Sequence, residues 1–535
     1  MTQKLLTISL LVSGRTDTTF RCLDSLQPLM NTIDSELILV DTGCDAKMRK
    51  QLETYADKII SFKWCDDFSK ARNVGLTEAS GKWFLYLDDD EWFVEVQSLI
   101  DFFQSGEYRN YTSASYIQRN YLDMEGSQFT DTRVGRMAQI TLELHFQSRI
   151  HEYLTPVGTR NKNLTATVEH YGYVYATEKQ KLDHFRRNQT LLEEMIKEEP
   201  DILRWRLQLL QEYRSIDDYT QMEQLAADGI IKINSSDKSD DEEARIYSGS
   251  FYAAQILAAE GCMDYDRMYE LCQKAAEDKR NTKLCQTFLN EMCAKACFYR
   301  GLHASDSVYA EEQYILSEQY AQRYLDFKEY FEKNKEEFYH LQIAPFVGEC
   351  LDQVKVKEIY SVRICNGLKL NQVNNLKIFI ERLCWDEKHV YVFEEIVGIL
   401  IEAMENYAGI YVGTAIPKNE EYVVYEKTLQ IMHRQHALWE YLCGEIEARQ
   451  NWGADMNGII RLIGAIFPNE VEKKDSKSEL EKLAVQVKEQ IRLLIASGMK
   501  EEAGTVIQQV KKFIPEDLQL QELEALCTID GDKSE

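Results

Sequence analysis

The sequence predicts an α/β domain followed by an all-α solenoid, on three observations. Short apolar runs alternate with helical patterns from Leu5 to Leu87, the rhythm of βαβ units. Strand patterns then disappear from about residue 180, where helix pairs restart near Asp201, Glu242 and Thr282, about 40 residues apart. Charge divides at the same place: residues 1–190 hold 22 Lys and Arg against 26 Asp and Glu, net −4, and the other 345 residues hold 40 against 63, net −23.

Taken in order, Leu5–Val12 is a buried strand, too short an apolar run to span a bilayer and without a small-residue cleavage site before Gly14-Arg15. A helix around Thr18–Met30, a strand at Glu36–Val40, a helix around Ala46–Tyr55, a strand at Lys58–Phe62, a helix around Ser69–Ala79 and a strand at Trp83–Leu87 follow. Ser115–Leu122, Gly135–Thr141 and Ala166–Val174 extend the sheet in mixed fashion. Helices at Trp205–Tyr213, Tyr247–Ala259, Phe288–Tyr299 and Tyr309–Leu325 carry Tyr, Phe, Leu and Ala at helical spacing, which makes them inter-helix core. The clearest pair comes last: a helix over Glu479–Ser497, a turn at Gly498–Ala503 and a second helix to Phe513-Ile514-Pro515, where proline follows the helix end. This pair resembles a tetratricopeptide hairpin. The polar stretches Asn234–Asp241 and Asn469–Ser478 are solvated loops.

Composition narrows the function. With 535 residues, 44% hydrophobic and only 7 Pro, the chain is ordered and too long for one core. A net charge of −27 leaves no basic excess to neutralise phosphates, which argues against nucleic acid and anionic membranes and favours a basic acceptor or partner. The 13 cysteines form no C-x-x-C pair, and Cys293 and Cys297, at i and i+4 with no histidine nearby, make a poor zinc site. Cysteines without a disulfide framework fit a reducing compartment, so the expected location is the cytoplasm, and no uninterrupted run of about 18 apolar residues occurs.

Chemistry concentrates at Trp83-Phe84-Leu85-Tyr86-Leu87-Asp88-Asp89-Asp90-Glu91, an apolar strand ending in four carboxylates. Like charges so close ask for a cation, and Asp88 and Asp90, facing the same way, suit a hard divalent ion whose other ligands come from a diphosphate. Open α/β sheets bind ligands beyond the carboxyl ends of their strands. A second strand ends in Val40-Asp41-Thr42-Gly43-Cys44, suited to a nucleobase or ribose. A helix start at Asp66–Gly75 carries Lys70 and Arg72, which balance phosphate charge.

Together, in this order, these segments resemble the family-2 glycosyltransferases of the GT-A fold. The matching residues are Val40-Asp41-Thr42-Gly43 where the family has D-D-G-S, Ala71-Arg72-Asn73-x-Gly75, and Leu87-Asp88-Asp89-Asp90-Glu91. Arg149-Ile150-His151-Glu152 and Glu169-His170-Tyr171-Gly172-Tyr173 resemble the I-H-E and H-x-G-Y segments of a bacterial subgroup with helical repeats behind the catalytic domain, which includes peptide S-glycosyltransferases.

The resemblance implies a metal-dependent, inverting transferase that takes a sugar from a nucleoside-diphosphate sugar, a UDP-sugar first among them. It places the donor across Ser13, Arg15, Asp41, Lys70, Arg72, Asn73 and Asp88, and Mn²⁺ or Mg²⁺ on Asp90 and His170. Glu152 is the first candidate for the proton-accepting base and Glu91 the second. Arg133, Arg136 and Arg149 are further cations for the diphosphate. The corresponding domains are a GT-A domain at 1–185, helical repeats at 186–465 and a tetratricopeptide-like pair at 479–530.

A stacked-helix surface suits an extended peptide, so a peptide or protein acceptor leads over a glycan or lipid-linked saccharide. An exposed solenoid end offers a surface for pairing with a second copy. The rival from another class is a non-catalytic scaffold with a degenerate transferase domain, against which the intact carboxylates and Arg72 speak. A nucleotidyltransferase would want a glycine-rich basic loop, and Ser13-Gly14-Arg15-Thr16 supplies one glycine only.

Overall fold

The computed structural model describes residues 3–121, 123, 126, 129–172, 174, 177–236, 241–334, 345–372, 376–383, 392–410, 418–450, 456–468, 487–497, 499–511 and 518–528. The chain forms two compact units, residues 1–286 with 340–347, and residues 287–339 with 348–535.

The first unit opens with β1 (Leu6–Val12), α1 (Thr16–Met30), β2 (Ser35–Asp41), α2 (Ala46–Leu52), β3 (Lys58–Ser61), α3 (Phe68–Thr77) and β4 (Trp83–Leu87), close to the predicted elements. β3-β2-β1-β4 are parallel neighbours, so their carboxyl ends lie on one edge. Both faces of this sheet are buried, which is why its strands read as unbroken apolar runs. Leu6, Ile8, Leu10, Leu37, Leu39 and Leu85 pack with α1 residues Cys22, Leu23 and Leu26 on one face. Phe84 and Tyr86 pack with Leu76 of α3 and with Phe146 and Leu154 on the other.

The sequence pattern did not reveal β5 (Glu91–Glu95), α4 (Gln97–Gln104), or the ribbon of β8 (His145–Gln147) and β9 (Tyr153–Thr155). β6 (Ser113–Tyr121), β7 (Phe129–Gln139) and β10 (Asn161–His170) complete an eight-stranded mixed sheet in the order β3-β2-β1-β4-β7-β6-β10-β5. Only three residues separate the end of β4 from the start of β5, yet β5 pairs at the far edge with β10. The carboxylate turn Asp88–Asp90 is therefore the crossing point of the sheet, and Glu91 opens a strand instead of closing one. Register then dictates the company this turn keeps: His170 is opposite Glu91 on one side and Asn120 on the other.

Helices α5 (Glu178–Glu198), α6 (Leu203–Ser215), α7 (Tyr219–Asn234), α8 (Glu242–Gly261) and α9 (Tyr265–Ala276) follow. α7 and α8 approach closely at Gly229, where a β-carbon would stand 2.7 Å from the Phe251 ring.

Residues 287–302 of α10 (Lys283–Leu302), α11 (Ser307–Lys333), α12 (Gln353–Lys369), α13 (Leu376–Arg382), α14 (Glu394–Ile410), α15 (Glu420–His433), α16 (His436–Gln450) and α17 (Met456–Ile466) build the second unit. Its main core joins Phe298, Tyr314, Ile364, Phe393, Leu400 and Leu429. A smaller core of Ile491, Ala503, Ile507 and Leu520 joins helical residues 487–496 to α18 (Lys500–Val510) and α19 (Leu518–Thr528). Cys293 and Cys297 are buried. The loop expected at Asn469–Ser478, the start of the helix expected from Glu479, Gly498 and the end at Phe513-Ile514-Pro515 lie outside the described residues. Among the described residues no helix is long and apolar enough to cross a membrane.

Candidate active site

α3 delivers the central cation. Asp67 caps the helix by accepting from the Lys70 amide at 3.0 Å, and Arg72, one turn on, turns to its buried face. The Arg72 guanidinium donates to the Leu87 carbonyl at 3.1 Å, to Asp88 Oδ1, and through Nε to Glu152 Oε1 at 2.6 Å. It also lies over the Tyr86 ring, 4.8 Å from the centroid. Arg136 of β7 donates to Asp88 Oδ2 at 2.8 Å and to Glu91 Oε1 at 2.9 Å. Burial opposes the charge of Asp88, but Arg136 and then Arg72 outweigh it and hold this carboxyl well below the usual range.

The other acids of the turn differ. Asp89 is buried, accepts from the Ser13 amide at 3.3 Å and from Thr19 Oγ1 at 3.2 Å, and is pushed up to about 6, by burial first. Glu91 has no exposed surface; Oε1 accepts from Arg136 and from Gln118 Nε2, while Oε2 has no hydrogen-bond partner. Burial, against the pull of Arg136, pushes Glu91 up to about 8.

Asp90 pairs with Arg15, and its Oδ1 lies 3.8 Å from His170 Nε2. His170 Nδ1 is 2.7 Å from Asn120 Oδ1, a contact that fixes the ring and, with the amide oxygen as acceptor, is made by the tautomer protonated on Nδ1. Burial, against the pull of Asp90 and Asp88, holds His170 below the usual imidazole range, the direction that favours the neutral ring a metal ligand needs. Tyr171, the next residue, is stacked between Tyr121 at 4.3 Å and Trp92 at 5.6 Å, which stiffens the segment. A β-carbon on Gly172 would stand 2.2 Å from His170 Nε2, so only glycine leaves room on that side of the nitrogen. One carboxylate, one oriented neutral imidazole and the space beside it fit a divalent ion. Among the described residues no three His, Cys, Asp or Glu form a cage by themselves.

The predicted residues therefore divide. Ser13, Arg15, Arg72, Asp88, Asp90, Glu91, Glu152 and His170 converge on the Asp88–Glu91 turn. Asp41 shapes its own turn, accepting from the Gly43 and Cys44 amides at 3.0 and 2.8 Å and from Arg49. Lys70 stays exposed, its ammonium 3.2 Å from Asp67. Asn73 turns to β8, bonding the Phe146 carbonyl and amide at 2.9 and 2.8 Å. Of the three further arginines, Arg136 joins the cluster, Arg133 donates to the Leu164 carbonyl at 2.9 Å, and Arg149 pairs with Glu194 and Glu198 of α5. Asn120, Gln118 and Thr19 were not anticipated. The signal for the first two was the pair of amides at alternate positions of β6, polar side chains on a strand buried at those places.

Residues 15–152 match the family model described as Glycosyl transferase family 2. A TPR repeat-containing protein of Synechococcus elongatus is 27% identical over 168 residues, 29% of this chain and 38% of its own length. The SPbeta prophage-derived glycosyltransferase SunS of Bacillus subtilis is 26% identical over 215 residues, 37% of this chain and 47% of its own length. The chain thus spans less than half the length of either relative. Among solved structures, S. aureus TarS 1–349 aligns over 55% of this chain and 88% of its own with 11% identity and a TM-score of 0.25.

Proposed function

We propose that this chain, whose residues 15–152 match the model of Glycosyl transferase family 2, moves a sugar from a nucleoside-diphosphate sugar to a peptide or protein side chain, with a divalent metal and with inversion at the anomeric carbon. A UDP-sugar is the first donor of this reading, and the cytoplasm its location. The observation that carries it is the buried guanidinium of Arg72, which ties Asp88 to Glu152 and so sets the donor-facing acids and the acceptor-facing carboxylate in one frame.

In this mechanism Ser13, Arg15, Asp41, Arg72 and Asp88 hold the donor, and Lys70 stands outside them as a second-rank cation. Asn73 contributes by anchoring α3. Asp90 and His170 hold Mn²⁺ or Mg²⁺, which when bound supplies positive charge to the leaving diphosphate. Glu152 accepts the proton of the acceptor hydroxyl or thiol as that atom attacks the anomeric carbon, and the bond to the diphosphate oxygen breaks with its electron pair leaving on the diphosphate. Glu91 is unsuited to the same task, because it has no exposed surface and Arg136 and Gln118 occupy its Oε1. The helical repeats present the acceptor, and the acidic excess beyond residue 190 favours a basic one.

The test is release of nucleoside diphosphate from UDP-, GDP- and dTDP-sugars with Mn²⁺ or EDTA, comparing the parent with Asp90→Ala. Metal-dependent release from one donor, lost in the variant, is the expected result. No release and no donor binding by calorimetry for any sugar nucleotide would return the chain to the scaffold reading.

A further inference from the structure

The residues that carry Glu152 have no regular structure of their own. Positions 148–152 lie between β8 and β9, and two of them, Ser148 and His151, hold positive φ values of 83° and 52°. Side-chain-bearing residues rarely adopt that region, so such a segment keeps its shape only where its surroundings over-determine it.

One hold comes from the sheet side, where the Phe68 amide donates to the Arg149 carbonyl at 2.8 Å. The others come from α5 and α6. Arg149 pairs with Glu194 at 2.9 Å and Glu198 at 2.7 Å. Arg204 of α6 donates to the His151 carbonyl at 3.3 Å while its guanidinium lies over the Tyr153 ring, 4.6 Å from the centroid. Glu212, also of α6 and itself held by Asn188 at 2.8 Å, lies 4.0 Å from His151 Nε2.

We propose that Arg204 is a positioning residue for Glu152: it grips the residue before and the residue after that carboxylate, so that α6 is part of the catalytic unit although the family match ends at residue 152. This rests on the reading of Glu152 as proton acceptor. The geometry asks for arginine in particular. A planar guanidinium donates within its plane and stacks with its face, and an ammonium, a point charge, cannot hold a carbonyl and cover a ring in the same way. Arg72 fixes the carboxylate itself at 2.6 Å, and Arg204 adds the contacts to the residues on either side of it, which the other holds on the segment, at Arg149 and beside His151, do not supply together.

The test uses Arg204→Gln and Arg204→Lys in the full chain, with two readouts. Hydrogen exchange of the amides at 148–153 should accelerate about tenfold or more in both variants while α3 stays protected. In donor turnover with Mn²⁺, kcat should fall about 10- to 100-fold, with donor KM within about twofold of the parent and the acid limb of the kcat pH profile displaced. Arg204→Lys should not rescue the loss. Unchanged exchange at 148–153 in both variants overturns the proposal, as does a fall in activity matched by an equal loss of nucleoside-diphosphate affinity and thermal stability. If the parent turns over no donor, the transferase reading fails, and the exchange result still decides whether Arg204 positions the segment.

Discussion

Arg72 Nε stands 2.6 Å from Glu152 Oε1 on a guanidinium that is only 2% exposed and that also serves Asp88. A buried cation shared by two carboxylates from segments 80 and 16 residues away in sequence is both a structural keystone and a site residue. Removing Arg72 leaves Asp88 to Arg136 but takes from Glu152, whose side chain is 10% exposed, its cation, and an uncompensated buried charge costs about 3–5 kcal/mol. Arg72→Ala is therefore expected to lower the urea midpoint by that equivalent. Arg72→Lys should recover part of the stability, since the charge returns, and little of the turnover, since one ammonium cannot reach three acceptors in fixed directions. Full turnover in Arg72→Lys would remove the case for a shared frame.

Around His170 the prediction separates a ligand from a neighbour. His170→Ala should weaken Mn²⁺ binding in the presence of nucleoside diphosphate, read by electron paramagnetic resonance. Asn120→Ala, which releases Nδ1, should cost about 10- to 100-fold in the same assay. Gly172→Ala should behave like His170→Ala, because its methyl carbon occupies the space 2.2 Å from Nε2 and forces the ring aside. A Gly172→Ala protein with parent-like Mn²⁺ affinity would mean that His170 Nε2 does not face the ion.

How much of this was legible follows from what each residue depends on. The parallel strands β1, β2 and β4 and the helices between them are encoded locally, in apolar runs and capping acids, and the prediction found them. Asp88, Asp90 and Arg72 were legible because strand ends and helix starts in an α/β sheet face one edge. His170 was reached only through resemblance, since its place beside Asp90 follows from β5 crossing to pair with β10, a long-range register with no local signature. Glu91 was read as the end of a strand for the same reason. Asn73 and Asp41 sit in the motif as ligand-like groups, and each also has partners in the fold that the motif does not show, the Phe146 backbone for the amide and the Gly43 and Cys44 amides for the carboxylate.

Glu91 sets a pH dependence. Its folded value, about 8, lies above the ordinary 4.5, so between those values the folded chain keeps a proton that the unfolded chain has released. The contribution to stability is complete below pH 4.5 and is lost as pH rises towards about 8. Glu91→Gln, neutral at every pH, should lack this slope. Urea midpoints at pH 5 and pH 8 should therefore fall more steeply for the parent than for the variant. Parallel curves would show that Glu91 is already charged at pH 5 in the folded protein.

Asn73 discriminates a donor contact from an anchor. Its amide forms two hydrogen bonds with the backbone of Phe146, at 2.9 and 2.8 Å, and so locks α3, with Arg72 on it, against the ribbon that leads to Glu152. Asn73→Ala leaves a carbonyl and an amide of β8 without their partners, at about 1–3 kcal/mol. The expected signature is a lowered midpoint of unfolding with nucleoside-diphosphate affinity, measured by calorimetry under folding conditions, within about twofold of the parent. A direct contact to the donor would give the reverse, since losing a hydrogen bond to a charged phosphate costs about 1.5–3 kcal/mol of affinity, roughly tenfold or more, whatever happens to stability. Phe146 takes one Nδ2 hydrogen and one Oδ1 lone pair, so any donor contact rests on the second Nδ2 hydrogen, and the affinity readout reports on that hydrogen alone.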